Sequence, residues 1–388
     1  MEVTRASLLV VTSAVMLAAL DSSAQGLRPP QTPPQASKPA STDGETAGPD
    51  AQQHLLAGIA LTRAGQFSEA IPHFLAAQGR VADSFALDFN LALCYVATRQ
   101  FPAAIRILVP IRGAGKHAAD RDSLLAQAYI GDHQEAAALK ALQDAVGLAP
   151  SDEKLYLLLS EACLDEGLYD TGTRAIEIGL ENLPNAPRLL FERALLRSRM
   201  EQLDLAAEDF QQVERAAPGS DIAYIAAAQQ ALLSGRIPEA IRVTRQAIEA
   251  GNSHYLLLTM LGEALLRSGV TPSNARDFSE ARSALERAVQ LRPTYSGAHI
   301  SLAKVYLLEG RVDDAITHLE TARQLDSRNR AIYPALAAAY QRAGQPAKAK
   351  EALEVLSELN RSDIERIRSA PGGHAGYVGS GGRQNLPN

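Results

Sequence analysis

The chain has 388 residues with 46% apolar content, a formal net charge of −6, two cysteines and no tryptophan. The charge is thinly spread, with no basic stripe to suit nucleic acid and no like-charge block to form an interaction tail. A globular chain of this length would divide into two or three domains, a limit that a chain of stacked repeats escapes.

Residues 1–24 read as a secretory signal peptide. Arg5 opens it, an apolar run follows from Leu8 to Leu20, and Ser22 and Ala24 are the small residues of a cleavage site after Ala24. The apolar run is too short for a permanent transmembrane helix, so an uncleaved anchor is the lesser reading. No cysteine follows it to carry a lipid. Residues 25–50 are rich in Pro, Ser, Thr and Gln and nearly free of large apolar side chains. Such a segment buries too little surface to offset its ordering entropy and is expected to be an extended, disordered spacer. Its RPPQTPPQ stretch has the look of a ligand for a proline-binding domain, but a spacer is the simpler reading.

From Ala51 to Asp363 one pattern recurs every 34 residues. Units begin at Ala51, Phe85, Ala119, Glu153, Pro187, Asp221 and Tyr255, then at Ser296, seven residues late, and at Arg330. Position 8 is always small: Gly58, Ala92, Ala126, Ser160, Ala194, Ala228, Gly262, Ala303 and Ala337. Position 20 is small as well, from Ala70 and Ala104 through Gly172 to Ala315 and Ala349. Small residues at fixed positions mark close helix crossings. Position 24 holds a large knob such as Phe74, Leu108, Ile176, Phe210 or Leu319. Glycine stands at position 15 in six units, where a helix end favours a left-handed residue. Proline closes several units at position 32.

These columns closely resemble the tetratricopeptide repeat, a helix–turn–helix unit of the same length. The resemblance covers about four-fifths of the chain and implies an all-α fold, a right-handed α-solenoid of about nine units. Each unit is expected to have a first helix over positions 2–14 and a second over about 18–30. The aromatic expected at position 4 is never Trp, and Arg193 and Arg197 stand at positions 7 and 11 of unit five, where apolar residues are expected. The register sets their face against neighbouring helices. Glu161, Asp165, Glu192 and Glu201 are the nearby carboxylates, and the arginines are expected to tie unit four to unit five; the lesser reading has their guanidinium groups reach the groove and bind an acidic partner segment. Pro110, followed by Gly113 and Gly115, predicts a kinked or shortened second helix in unit two and a looser joint near 109–118. The seven extra residues of unit seven, near Val270 to Asp277, fall between its helices and read as a surface insertion. After Asn360, RSDIERIRS predicts a short polar capping helix, and residues 364–388 are read as a short capping helix and a disordered Gly-rich tail.

No catalytic or metal motif appears. There is no phosphate-binding Gly loop, no GxSxG, no CxxC and no paired-His zinc helix among the eight histidines. Cys94 and Cys163 lie two repeats apart, too far for a disulfide, and read as small buried hydrophobes. No enzyme, no cofactor and no metal are expected.

The resemblance places function on the face of the first helices, at positions 2, 5, 6, 9, 12 and 13. These supply Leu55, Ile59, Phe89, Asn90, Leu93, Gln127, Leu157, Phe191, Leu195, Ile225 and Gln229. A polar band crosses units four and five with Lys154, Glu161, Asp165, Arg188, Glu192 and Arg199. One subgroup of the family clamps the terminal carboxylate of chaperone peptides. Asn90 matches that clamp, but Leu55, Ile59, Asp120 and Leu124 occupy its other positions, which argues against it. The expected role is a non-catalytic scaffold that holds a peptide or helical segment of a protein in the groove, in a bacterial-type envelope or outside the cell. An accessory protein of polysaccharide export or envelope biogenesis is the second reading. A sugar ligand would favour stacking aromatics, and the groove offers only Phe89 and Phe191.

Overall fold

A computed structural model describes residues 49–369 apart from 82–83, 112–114 and 270. The expected signal peptide and most of the Pro-rich spacer lie outside the described residues, as does the Gly-rich tail. Among the described residues every regular element is a helix. The helices form nine pairs: α1 (Pro49–Arg63) with α2 (Phe67–Ala77), α3 (Ser84–Ala97) with α4 (Phe101–Leu108), α5 (Lys116–Gly131) with α6 (Glu135–Leu148), α7 (Glu153–Glu166) with α8 (Tyr169–Asn182), and α9 (Pro187–Arg199) with α10 (Leu203–Ala216). There follow α11 (Asp221–Leu233) with α12 (Ile237–Glu249), α13 (Tyr255–Arg267) with α14 (Ala275–Leu291), α15 (Ser296–Glu309) with α16 (Val312–Leu325), and α17 (Ile332–Arg342) with α18 (Pro346–Ser369). The described chain divides within α11 into two compact units, one up to Gln230 and one from Ala231. Within each, a second helix packs between its own first helix and the next one, the arrangement of an α-solenoid.

The repeat columns explain why the pairs close. Ala70, Ala104 and Ala138 at position 20, and Ala92, Ala126 and Ala194 at position 8, are fully buried. The knobs Phe74, Leu108, Leu142, Ile176, Phe210, Leu285 and Leu319 at position 24 are fully buried as well. Knob and hollow meet directly. A Cβ added to Gly58 would lie 2.7 Å from the Phe74 ring, and one added to Gly262 would lie 2.4 Å from Leu285 Cγ. Leu353, the knob of the ninth pair, is 45% exposed.

The turn inside each pair repeats one conformation. Position 15 has a left-handed backbone in all nine, in Gly65, Gly167, Gly235, Gly269, Gly310 and Gly344, and also in Arg99, His133 and Glu201 with φ of 57–60°. The next amide reaches back across the turn, as in Gln66 N–H to the Leu61 carbonyl (2.9 Å) and Gln202 N–H to the Arg197 carbonyl (2.9 Å). This is the six-to-one bond of a Schellman end. The bond keeps its shape where glycine is missing, so three side chains are held in a backbone region they disfavour.

Position 4 carries a second repeated device. Tyr156 donates to the Pro150 carbonyl (2.8 Å), His299 to the Pro293 carbonyl (2.9 Å) and Tyr333 to the Ser327 carbonyl, each six residues back. A ring with a polar edge thus fastens the turn that precedes its own helix. This replaces the Trp that the family pattern leads one to expect.

Three local features differ from the sequence reading or sharpen it. Helix α4 has eight residues and stops at Leu108, two residues before Pro110, as the proline predicts. Helix α14 has 17 residues because Ala275, Arg276 and Asp277 of the insertion join it as an added turn. There Asp277 accepts from Arg245 of α12 (2.9 Å), which also binds Glu280. Helix α18 runs unbroken through residues 361–369 to Ser369, so that stretch prolongs the second helix of pair nine and is not a separate cap.

Arg193 and Arg197 face Asp209 of α10. Arg193 binds Asp209 through Nε (3.0 Å) and Nη2 (2.7 Å), and Arg197 adds Nη1 at 2.7 Å. Asp209 is fully buried, so a two-to-one charged fork closes the interior of pair five. The expected tie between units four and five is therefore a tie between the two helices of unit five.

Candidate functional site

The expected groove residues separate into two groups. Leu55, Leu157, Phe191, Glu192, Leu195, Ile225 and Gln229 are buried. They pack within the array and offer no surface to a partner. Ile59, Phe89, Asn90, Leu93, Gln127, Glu161 and Arg188 are half-buried, and Lys154 is exposed. Several of the accessible groups already have partners. Asn90 donates to the Ala86 carbonyl (2.7 Å), Gln127 to the Ser123 carbonyl (3.3 Å), and Arg188 stands 3.6 Å from Glu153.

A recess of about 310 Å³ opens between the first helices α3, α5 and α7. Val96 and Ala97 of α3, Gln127, Ile130 and Gly131 of α5, and Leu158, Glu161, Ala162, Asp165 and Glu166 of α7 line it, with Arg99 and Phe101 at its edge. Most of these occupy positions 9, 12 and 13, columns that also supplied Gln127 and Glu161 from sequence. Leu158 at position 6 escaped notice in the sequence, one residue from Leu157. Leu157 is buried and Leu158 is the exposed one. Equally unmarked was the wall made by Gly131, where an added Cβ would lie 2.3 Å from the Phe101 ring. The absence of a side chain there lets the turn ring fold against α5.

The recess is polarised. On the rim, Arg99 Nη2 lies 2.6 Å from Glu166 Oε1, with its guanidinium 5.1 Å over Phe101. On the floor, burial pushes the Glu161 carboxyl up to about 8, and the neighbouring charges of Asp165 and Glu192 push the same way. Burial also raises Glu192 to about 7, although Ser160 Oγ donates to it at 3.2 Å. Two carboxyls crowded beside Asp165 with little water thus hold their protons near neutrality. A cation from outside would relieve that crowding.

Neither thiol is poised for chemistry. Cys94 and Cys163 are buried and form no disulfide, and burial pushes both thiols up, Cys163 strongly. Among the described residues no group of three or more His, Cys, Asp or Glu side chains is placed to hold a metal ion, and no helix is long and apolar enough to cross a membrane.

Nine helix pairs among the described residues, with the same small and bulky columns and the same left-handed turn, define a helical repeat protein. Two tetratricopeptide repeat models match the sequence, one over residues 55–109 and 191–255 and the other over 274–326 and 306–370. Together the matches span more than half of the chain, which belongs to the tetratricopeptide repeat family. Among solved structures, a thermophilic TPR protein of Thermus thermophilus matches with 20% identity and a TM-score of 0.41, covering 49% of this chain and 99% of its own. YrrB, described as a TPR protein with an unusual peptide-binding site, matches with 19% identity and a TM-score of 0.33, over 50% of this chain and 97% of its own. MamA matches with 17% identity and a TM-score of 0.25, over 55% and 93%. No curated protein matches the sequence.

Proposed function

We propose that the chain is a non-catalytic scaffold that holds a segment of a partner protein on the face of its first helices, with the recess between α3, α5 and α7 as the anchor point. The observation that carries this is the recess itself, lined by the apolar side chains of Val96, Ile130 and Leu158 and by the carboxyls of Glu161 and Asp165. An aliphatic stem ending in a cation, as in lysine or arginine, suits both walls. Its charge would draw the proton from Glu161, so binding should release protons near neutral pH. A photo-crosslinking residue placed at Leu158 should trap the partner from an envelope extract, whereas one at Glu177 on the exposed face of α8 should not. Equal trapping at both positions, or none at Leu158, would overturn the reading.

The proposed location is the periplasm or the outside of the cell, on the strength of the sequence of residues 1–24. The exported chain should begin at Gln25 by intact mass. Retention of the first 24 residues in the exported form would sink that part.

A further inference from the structure

We propose that the facing histidines of pairs one and eight are two-nitrogen sites for a divalent transition-metal ion such as zinc or copper. The same arrangement occurs twice, each time in one helix pair. His54 of α1 and His73 of α2 bring their Nδ1 atoms to 3.1 Å, with ring centroids 5.2 Å apart. His299 of α15 and His318 of α16 bring theirs to 2.9 Å, with centroids 5.1 Å apart. Both pairs sit at positions 4 and 23 of the repeat and are separated by 19 residues. A tetrahedral ion about 2.0–2.1 Å from two nitrogens holds them about 3.3 Å apart, so the rings need to part only slightly.

The outer hydrogen bonds favour the same arrangement. The carbonyl of Pro293 can only accept, so His299 carries its proton on Nε2 and turns a bare Nδ1 toward His318. A backbone carbonyl on the far nitrogen is the usual support of a metal-binding imidazole. In pair one the Asp50 carboxylate stands 3.8 Å from Nε2 of His54 and favours a proton there. In the metal-free state the second histidine of pair eight, His318, donates from Nδ1 to His299. When that proton moves to its own Nε2, two lone pairs converge on the gap. A neutral pair therefore takes up the ion with a tautomer shift and no net proton loss, and water completes the coordination. The surroundings of pair eight are the Tyr306 ring, 5.5 Å from His318, with Asp314 and Arg311 acting on the same imidazole. At pair one Asp50 is the neighbouring charge.

The test uses the untagged full chain, freed of metal by chelation, titrated with zinc chloride and then with copper chloride. Saturation at two ions per chain is expected, with a rise in Tm and tighter binding of copper than zinc. Affinity should fall as pH is lowered, because a protonated imidazole has no lone pair for the ion. His73→Ala should remove one ion and His318→Ala the other, and circular dichroism of each variant checks that the helices persist. Loss of an ion with only one variant overturns the site at the other pair. Binding that survives the double variant, or no metal-dependent rise in Tm, overturns the proposal and leaves the pairs as hydrogen bonds alone.

Discussion

At the residue scale, the hollows of position 8 have no slack. Gly262→Ala would set a methyl group 2.4 Å from Leu285 Cγ, at a fully buried knob. Overpacking of this kind costs about 1–3 kcal/mol. Thermal melting should show that loss, and an unchanged Tm would mean that Leu285 moves aside freely. The left-handed residues behave in the opposite way. Glu201 has φ 60° at a turn where six other pairs use glycine. Glu201→Gly should raise stability by about 1 kcal/mol, because relief of left-handed strain exceeds the added freedom of the unfolded chain. Chemical denaturation checks it, and a lower midpoint would show that the side chain contributes more than its backbone costs.

At the element scale, helix pairs in the two compact units respond to acid with opposite sign. In pair eight, burial lowers the pKa of both His299 and His318 and favours neutral rings. The unfolded chain then binds protons first, from about pH 6.5 downward, so pair eight loses stability as pH falls through that window. In pairs four and five, Glu161 and Glu192 are raised to about 8 and about 7. There the folded chain holds the extra protons, so stability is complete below the free carboxyl range near 4.5 and is lost as pH rises toward 8. Amide exchange followed from pH 8 to 6 should show α7 and α9 gaining protection. Between pH 6.5 and 5, α15 and α16 should lose it. Parallel changes in both regions would refute the assignment. The pairs themselves were legible in the sequence, because the small columns at positions 8 and 20 and the knob at 24 each answer to one packing contact. The insertion was legible as a late start and a surface loop between the helices of unit seven, but not as an added turn. Its added turn rests on Arg245 meeting Asp277 and Glu280 across helices, and a spacing does not show that. The same holds for Asp209, which the arginines of α9 reach from the facing helix. Leu157 and Leu158 were confused because neighbouring residues on a first helix face different partners, and only the packing of adjacent helices decides which one is covered.

At the scale of the whole molecule, the short helix α4 has a consequence for how stability is shared. In a stack of pairs each element touches only its neighbours, so cooperativity passes through every joint in turn. The unit up to Gln230 contains one joint where a second helix has only eight residues and ends before a proline. A weak link in a one-dimensional chain has no parallel path around it. Pairs one and two should therefore open as a block of their own, at lower denaturant than pairs three to five. Hydrogen exchange should report two classes of protection on either side of residues 109–115, and Pro110→Ala, which allows α4 to continue, should bring the classes together. A single protection level across that joint in the parent chain would show that the proline is tolerated without cost. If the two classes are found, this chain behaves toward unfolding as a short module fastened to a longer one, and partial denaturation can free the first while the recess keeps its α5 and α7 walls and loses its α3 wall with the Arg99 and Phe101 edge.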